Sequence, residues 1–83
     1  MPSMRATVLV RLKEGILDPQ GEAVEGSLRK LGFDVGRVRV GRLIDVDVEA
    51  SGPDDARAKI EGMCAELLTN PLIESYEIRV EGG

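Results

Sequence analysis

Val35-Gly36-Arg37-Val38-Arg39-Val40-Gly41-Arg42-Leu43-Ile44-Asp45-Val46-Asp47-Val48-Glu49-Ala50 keeps one parity almost throughout. Val38, Val40, Ile44, Val46 and Val48 carry even numbers, and Arg37, Arg39, Asp45, Asp47 and Glu49 carry odd ones. Apolar residues at period two mark a strand with one buried face. A two-residue turn at Gly41-Arg42 would set Val38 opposite Asp45 and Arg39 opposite Ile44, which mixes the faces. One long strand keeps every Val and Ile on one side, with Gly41 marking a bend or bulge and Arg42 as the lone even-numbered charge. A hairpin with an odd-length loop also restores the pattern and stays open as an alternative. At ~3.3 Å per residue, an unbroken strand over 35–50 would span about 50 Å. A compact domain of this length is roughly 30 Å across. The long strand therefore overruns its own domain and calls for a second chain to pair with.

On the N-terminal side, Ala6, Val8, Val10 and Leu12 alternate with Arg5, Thr7, Arg11 and Lys13, which predicts a half-buried strand from Met4 to Lys13. Leu9 interrupts its polar face. The run Lys13-Glu14-Gly15-Ile16-Leu17-Asp18-Pro19-Gln20-Gly21 then reads as strand end, tight loop and helix start. Asp18 is the N-cap, and Pro19 fits the first helical position because its missing N–H would have no partner there. Gly21 costs roughly 1 kcal/mol against Ala inside a helix, so the position wants a bare backbone for another reason. The helix is predicted over Pro19–Leu31, with Val24, Leu28 and Leu31 as its buried stripe, Glu25 and Arg29 paired on the outer face, and Gly32 as the stop.

On the C-terminal side, Ser51-Gly52-Pro53-Asp54 resembles a capping box, and a second helix is predicted over Pro53–Thr69. Its apolar stripe is Ala56, Ile60, Met63, Cys64, Leu67 and Leu68. Asn70-Pro71 stops it. A last strand follows, with Tyr76, Ile78 and Val80 facing inward and Glu81-Gly82-Gly83 frayed.

The 83 residues make a single domain, 1–83. A chain this size buries only about 60–65% of its unfolded surface, so its stability alone is marginal and oligomerisation is a remedy. A net charge of −4 argues against a nucleic-acid partner, and Phe33 and Tyr76 as the only aromatics cannot make a stacking platform. No apolar run reaches the ~18 residues of a membrane span, and Met1-Pro2-Ser3-Met4-Arg5 has no signal-peptide core. A cytoplasmic location is expected. With no His and one Cys, a His/Cys zinc site is excluded within one chain. Asp45, Asp47 and Glu49 read as the solvated face of a strand rather than a cation site. Cys64 reads as a small buried hydrophobe, since no neighbouring base is on offer to activate it. A nucleophile needs such a base, and the phosphate-binding patterns GxxxxGK[ST] and GxGxxG are absent. Asp18, Glu22, Glu25 and Glu74 read as caps and solvated faces. The residues argue for a binding or scaffold module.

The loop 13–21, the segment Val38-Arg39-Val40-Gly41-Arg42 and the run Cys64-Ala65-Glu66-Leu67-Leu68-Thr69-Asn70-Pro71-Leu72-Ile73-Glu74-Ser75-Tyr76, in this order and spacing, closely resemble the PurS family. That family supplies the small subunit of phosphoribosylformylglycinamidine synthase in purine biosynthesis. The resemblance runs from about Val8 to Ile78. Arg42 stands where the family often has Lys, and Leu72 where Val is common.

The resemblance implies an α+β fold related to the ferredoxin-like plan. Its order is β-α-β-α-β, with a long central strand, two helices on one face of an antiparallel sheet, and a segment-swapped dimer, sometimes a dimer of dimers. It implies a non-catalytic bridging subunit that holds a glutaminase, PurQ, to a synthetase, PurL, and assists ammonia transfer between them. It implies no cofactor in this chain, ATP and magnesium being used by the synthetase. Partner contacts are expected in the matching segments, at Asp18, Pro19, Gln20, Gly21, Arg39, Gly41, Arg42, Asn70, Pro71, Glu74 and Tyr76. Dimer contacts are expected at Val38, Val40, Ile44, Val46 and Val48. Gln20 and Arg39 sit outside the core stripes, so alanine at either should leave stability within ~0.5 kcal/mol. A ligand-binding regulatory domain of the ACT type, with Lys13-Glu14-Gly15 at the strand end, is the rival reading. An independent small enzyme is a second rival, and the absence of catalytic residues counts against it.

Overall fold

A computed structural model describes residues 3–81. Strand β1 spans Ser3–Leu12, helix α1 Pro19–Lys30, strand β2 Arg42–Glu49, helix α2 Pro53–Met63 and strand β3 Glu74–Val80. The sheet is antiparallel in the order β2-β1-β3. Both outer edges, on β2 and β3, lack a strand partner among the described residues. No helix of the described residues is long and apolar enough to cross a membrane.

The even-numbered face of the sheet carries the core. Ala6, Val8 and Val10 of β1, Val48 of β2 and Ile78 of β3 enclose Ala56, Ile60 and Cys64 with Ala50. Val8 and Ile60 are fully buried, and each such side chain contributes about 1.5–3 kcal/mol. The opposite face is polar and paired across strands. Asp47 accepts from Arg5 Nε at 3.1 Å and Asp45 from Thr7 Oγ1 at 2.7 Å, both in register. Leu9 lies opposite Leu43 there, as an apolar cross-strand pair.

Several expectations need correcting. The strand over 35–50 is not continuous: only Arg42–Glu49 pairs with β1, and residues 34–41 run without a strand partner. A closed hairpin at Gly41-Arg42 does not form either. The physical reason lies at the end of β1. The Arg39 guanidinium, not a neighbouring backbone, takes the Leu12 and Lys13 carbonyls, at 3.0 and 3.2 Å. The chain nevertheless overruns a compact domain, at 51 × 25 × 14 Å with a radius of gyration of 16.2 Å.

Only α2 packs on the sheet. Helix α1 touches no strand of its own chain, so its stripe is uncovered: Val24 is 41% and Leu31 73% exposed. Its ends are as expected. Asp18 caps the start, while Phe33 N–H to Leu28 O and Gly32 N–H to Arg29 O close a Schellman turn around left-handed Gly32, φ +95°. Helix α2 starts on Gly52 without a side-chain cap, so the capping box is absent; instead Asp55 accepts from the Ser51 N–H at 2.9 Å. α2 does not continue regularly to Thr69. Cys64–Leu68 widens into a π-helical turn, closed by the Thr69 hydroxyl on the Cys64 carbonyl at 2.9 Å. The widening turns Leu67 outward, to 83% exposure. Tyr76 shares the core face, opposite Val10, yet stays 40% exposed. Gly82 and Gly83 lie outside the described residues.

Candidate functional site

The loop after β1, the segment before β2 and the turn before β3 converge at one end of the sheet, and charged side chains tie them together. Asp18 is the first hub. It is 8% exposed; its Oδ1 accepts from the Gly21 N–H at 2.9 Å and its Oδ2 from the Val40 N–H at 2.9 Å. One carboxylate thus caps α1 and anchors the incoming segment. Glu25, about two helical turns on, accepts from the Val38 N–H at 3.2 Å and pairs with Arg29 at 2.8 Å. Arg29 in turn donates to the Val35 carbonyl at 3.1 Å. Helix α1 therefore holds residues 35–40 as an extended ribbon along its side.

The ribbon comes so close that only glycine fits at position 21. A Cβ there would fall inside contact distance of the Val38 carbonyl and 2.6 Å from Asp18 Oδ2. This is the bare backbone that helix propensity alone could not explain. Gly41 has the same cause, since a Cβ would strike the Val10 carbonyl of β1. It marks a close backbone approach where the chain enters the sheet at β2.

Arg39 is not the free surface arginine that its sequence position suggests. Its side chain is 23% exposed and spans Leu12 O, Lys13 O and, at 3.7–3.8 Å, the carboxylates of Asp18 and Glu14. Arg37 forks onto Glu14 with contacts of 3.1 and 3.2 Å. The expectation that Arg39→Ala leaves stability untouched is therefore replaced. Losing these bonds to two carbonyls should cost about 1–3 kcal/mol, read as a lower urea midpoint. Gln20→Ala, by contrast, should stay within ~0.5 kcal/mol because Gln20 is exposed.

Arg42 and Glu74 form the second hub. The Arg42 guanidinium grips both Glu74 oxygens and also donates to the Leu68 carbonyl at 2.6 Å. Glu74 Oε1 accepts from the Asn70 N–H at 2.7 Å, and its side chain is 12% exposed. Reading Glu74 as a solvated carboxylate was therefore wrong. Part of the signal is in the sequence: within 42–49 Arg42 is the one charge with core parity. Pro71 lies on the turn and gives its carbonyl to Lys13 Nζ at 2.6 Å. Pro19, Gln20 and Tyr76 flank the hubs without side-chain bonds of their own. Of the residues expected at a dimer contact, Val48 is buried in its own core, whereas Val38, Val40, Ile44 and Val46 remain partly exposed.

Hydrogen bonds from the Gly21 and Val40 N–H groups hold the Asp18 carboxyl below its ordinary range. The Arg42 side chain, then the Asn70 N–H, do the same for Glu74. Burial pushes the Cys64 thiol up, away from reactivity. Carboxylates with depressed folded pKa values stabilise fully above the unfolded value, near ~4, and lose that contribution as pH falls through the folded one. The melting temperature should therefore drop steeply in acid. Asp18→Asn and Glu74→Gln should each flatten that acid limb. A limb of unchanged slope in both variants would show that these two groups do not drive it.

Among the described residues no group of three metal-ligating side chains occurs. The sheet end is a set of loops tied by charged side chains on a small α+β domain. The PurS family model, described as phosphoribosylformylglycinamidine (FGAM) synthase, matches residues 5–82. The chain is 43% identical over 76 residues to the PurS subunit of Archaeoglobus fulgidus, covering 90% of this chain and 95% of that one. It is 40% identical over 78 residues to that of Methanocaldococcus jannaschii, covering 93% and 94%. It superposes on a chain of the PurLQS structure from Thermotoga maritima with a TM-score of 0.89 at 36% identity, covering 96% of this chain and 99% of that one. The chain belongs to the PurS family.

Proposed function

We propose that the chain is the bridging subunit of a three-part phosphoribosylformylglycinamidine synthase. It holds a PurQ-type glutaminase to a PurL-type synthetase and assists the passage of ammonia between them. The observation that carries this is the near end-to-end match to a chain of the PurLQS structure. Free ammonia in bulk water at neutral pH is protonated and lost as a nucleophile. Holding two active sites in register supplies proximity and excludes solvent. ATP and magnesium belong to the synthetase. A cytoplasmic location goes with this role.

The working unit we propose is a segment-swapped homodimer, alone or paired into a dimer of dimers. Two surfaces support it. The α1 stripe is uncovered, and a largely apolar groove lined by Val46, Met63, Leu67 and Leu68, with Glu66 at its side, lies beside the unpaired edge of β2. The extended 35–41 ribbon of a second copy suits that edge.

Reconstitution tests the role. Alone, the purified chain should turn over neither glutamine nor ATP. Mixed with both partner enzymes, it should co-sediment with them and restore glutamine-dependent synthesis. Gln20→Ala should weaken that assembly, and glutamine-dependent synthesis should fall more than ammonia-dependent synthesis. Capture of a free amino acid in place of the two enzymes would favour the ACT-type reading.

A further inference from the structure

Strand β3 ends the sheet, and its outer edge is open among the described residues. Alternate residues of a strand direct their N–H and C=O to one edge. The Lys13 N–H on the Ile73 carbonyl at 2.8 Å and the Glu81 N–H on the Arg5 carbonyl at 2.9 Å show that the odd-numbered set faces β1. Tyr76, Ile78 and Val80 therefore aim their backbone groups outward. Little blunts this edge: Glu74–Val80 contains no proline or lysine, and it pairs with β1 without a bulge. On the core face, Tyr76 and Val80 stay only partly covered by their own chain. The strand also fits its own reverse. With a two-fold axis through Ile78, Glu77 of one copy faces Arg79 of the other, Arg79 faces Glu77, and Tyr76 faces Val80. Within one chain Arg79 Nε already donates to Glu77 Oε2 at 2.7 Å, so the four side chains alternate in sign around the axis. Slipping the axis by one residue sets Glu77 on Glu77 or Arg79 on Arg79, and like charges directly opposite destabilise a strand pair.

We propose that β3 pairs antiparallel with β3 of a second swapped dimer, about a two-fold axis at Ile78, and that this edge joins the dimer of dimers. The inference rests on the swapped dimer proposed above and names its second interface. The occupant is another copy of this chain, because the charge order of the strand complements itself. Tyr76, expected against a partner enzyme, is thereby assigned to that copy. Each swapped dimer carries two such edges, and engaging both closes the assembly. A lone chain offers only one, so the contact gains its strength from being made twice.

Sedimentation of the full chain across a dilution series tests this. The parent should run as a dimer of dimers and fall to dimers on dilution. Glu77→Arg sets arginines opposite one another across the axis, and Arg79→Glu sets glutamates there. Each should raise the concentration needed to join two dimers roughly tenfold or more. Both side chains are exposed, so the dimer itself should form as in the parent. An equimolar mixture of the two variants should recover parent-like association, since each supplies the sign that the other lacks. Neither variant keeps the Arg79–Glu77 pair within its own chain, so recovery reports a contact between copies. Single variants that associate like the parent would overturn the proposal, as would a mixture no better than its components. A parent that remains a dimer up to its solubility limit would overturn the β3 contact and leave the swapped dimer standing. A parent that runs as a monomer would remove the swapped dimer, and the β3 contact with it.

Discussion

Gly21→Ala should destabilise the chain by roughly 2–4 kcal/mol, while Gly26→Ala, five residues along the same helix, should stabilise it by about 0.5–1 kcal/mol. Both replace a helical glycine by the best helix former, and propensity alone predicts a gain at each. Space decides the sign. At position 26 an added Cβ meets nothing within 4 Å. At position 21 it meets the backbone carbonyl of Val38, which cannot swing aside as a side-chain tip would, and the Asp18 carboxylate that caps the helix. Relief requires α1 and the 35–40 ribbon to part, which breaks the Asp18–Val40 and Glu25–Val38 hydrogen bonds together. Urea unfolding of the two variants beside the parent reads the difference directly. Shifts of the same sign would refute the close approach.

Leu31→Glu should turn a dimer into a monomer and lower the melting temperature sharply. In the single chain this residue is 73% exposed and makes no core contact, so a charge there would cost a monomer no more than ~0.5 kcal/mol. In a dimer whose second copy covers the α1 stripe, the same carboxylate is buried without a partner. Val46→Asp is the complementary change on the groove side. It should disturb fold and dimer alike, because Val46 also packs on the core. For the parent, the melting temperature should rise with protein concentration, as association-linked stability demands. Sedimentation at micromolar concentration settles the matter. A parent that runs as a monomer, or a Leu31→Glu chain still dimeric with an unchanged melting temperature, would refute the swapped assembly.

Local chemistry made much of this fold legible. Period-two alternation in 4–13 and 35–50 placed two strands and their faces, although the second pairs only over Arg42–Glu49. Asp18-Pro19 fixed the start of α1 to the residue, and Gly32 fixed its end. Cys64 is buried, as its place in an apolar stripe implied. What failed depended on contacts across the chain. The parity of 35–50 is real, but parity does not distinguish a laddered strand from an extended ribbon held by side chains. The Val24, Leu28 and Leu31 stripe was read as buried because amphipathic helices bury that face; whether the cover lies in the same chain is not encoded in the period. The π-turn at 64–68 has no sequence signature, and Leu67 within it lies exposed rather than in the core. At the sheet end, the three segments singled out do converge. Their fastening was partly foreseeable, since Arg42 is the one charge of 42–49 on the core parity, although its side chain stays 48% exposed and burial alone did not demand a partner. The double use of Asp18, on α1 and on Val40, was not.

The ribbon's hydrogen-bond pattern bears on solubility. In extended backbone, the N–H and C=O of alternate residues point to one edge. Asp18 and Glu25 occupy the Val40 and Val38 N–H groups, and the Val38 carbonyl faces Gly21, so that edge is shut. Val38-Arg39-Val40 is a valine-rich extended segment, the sort that templates fibrils when both edges lie open. With one edge sealed by carboxylates, strand addition has a single direction.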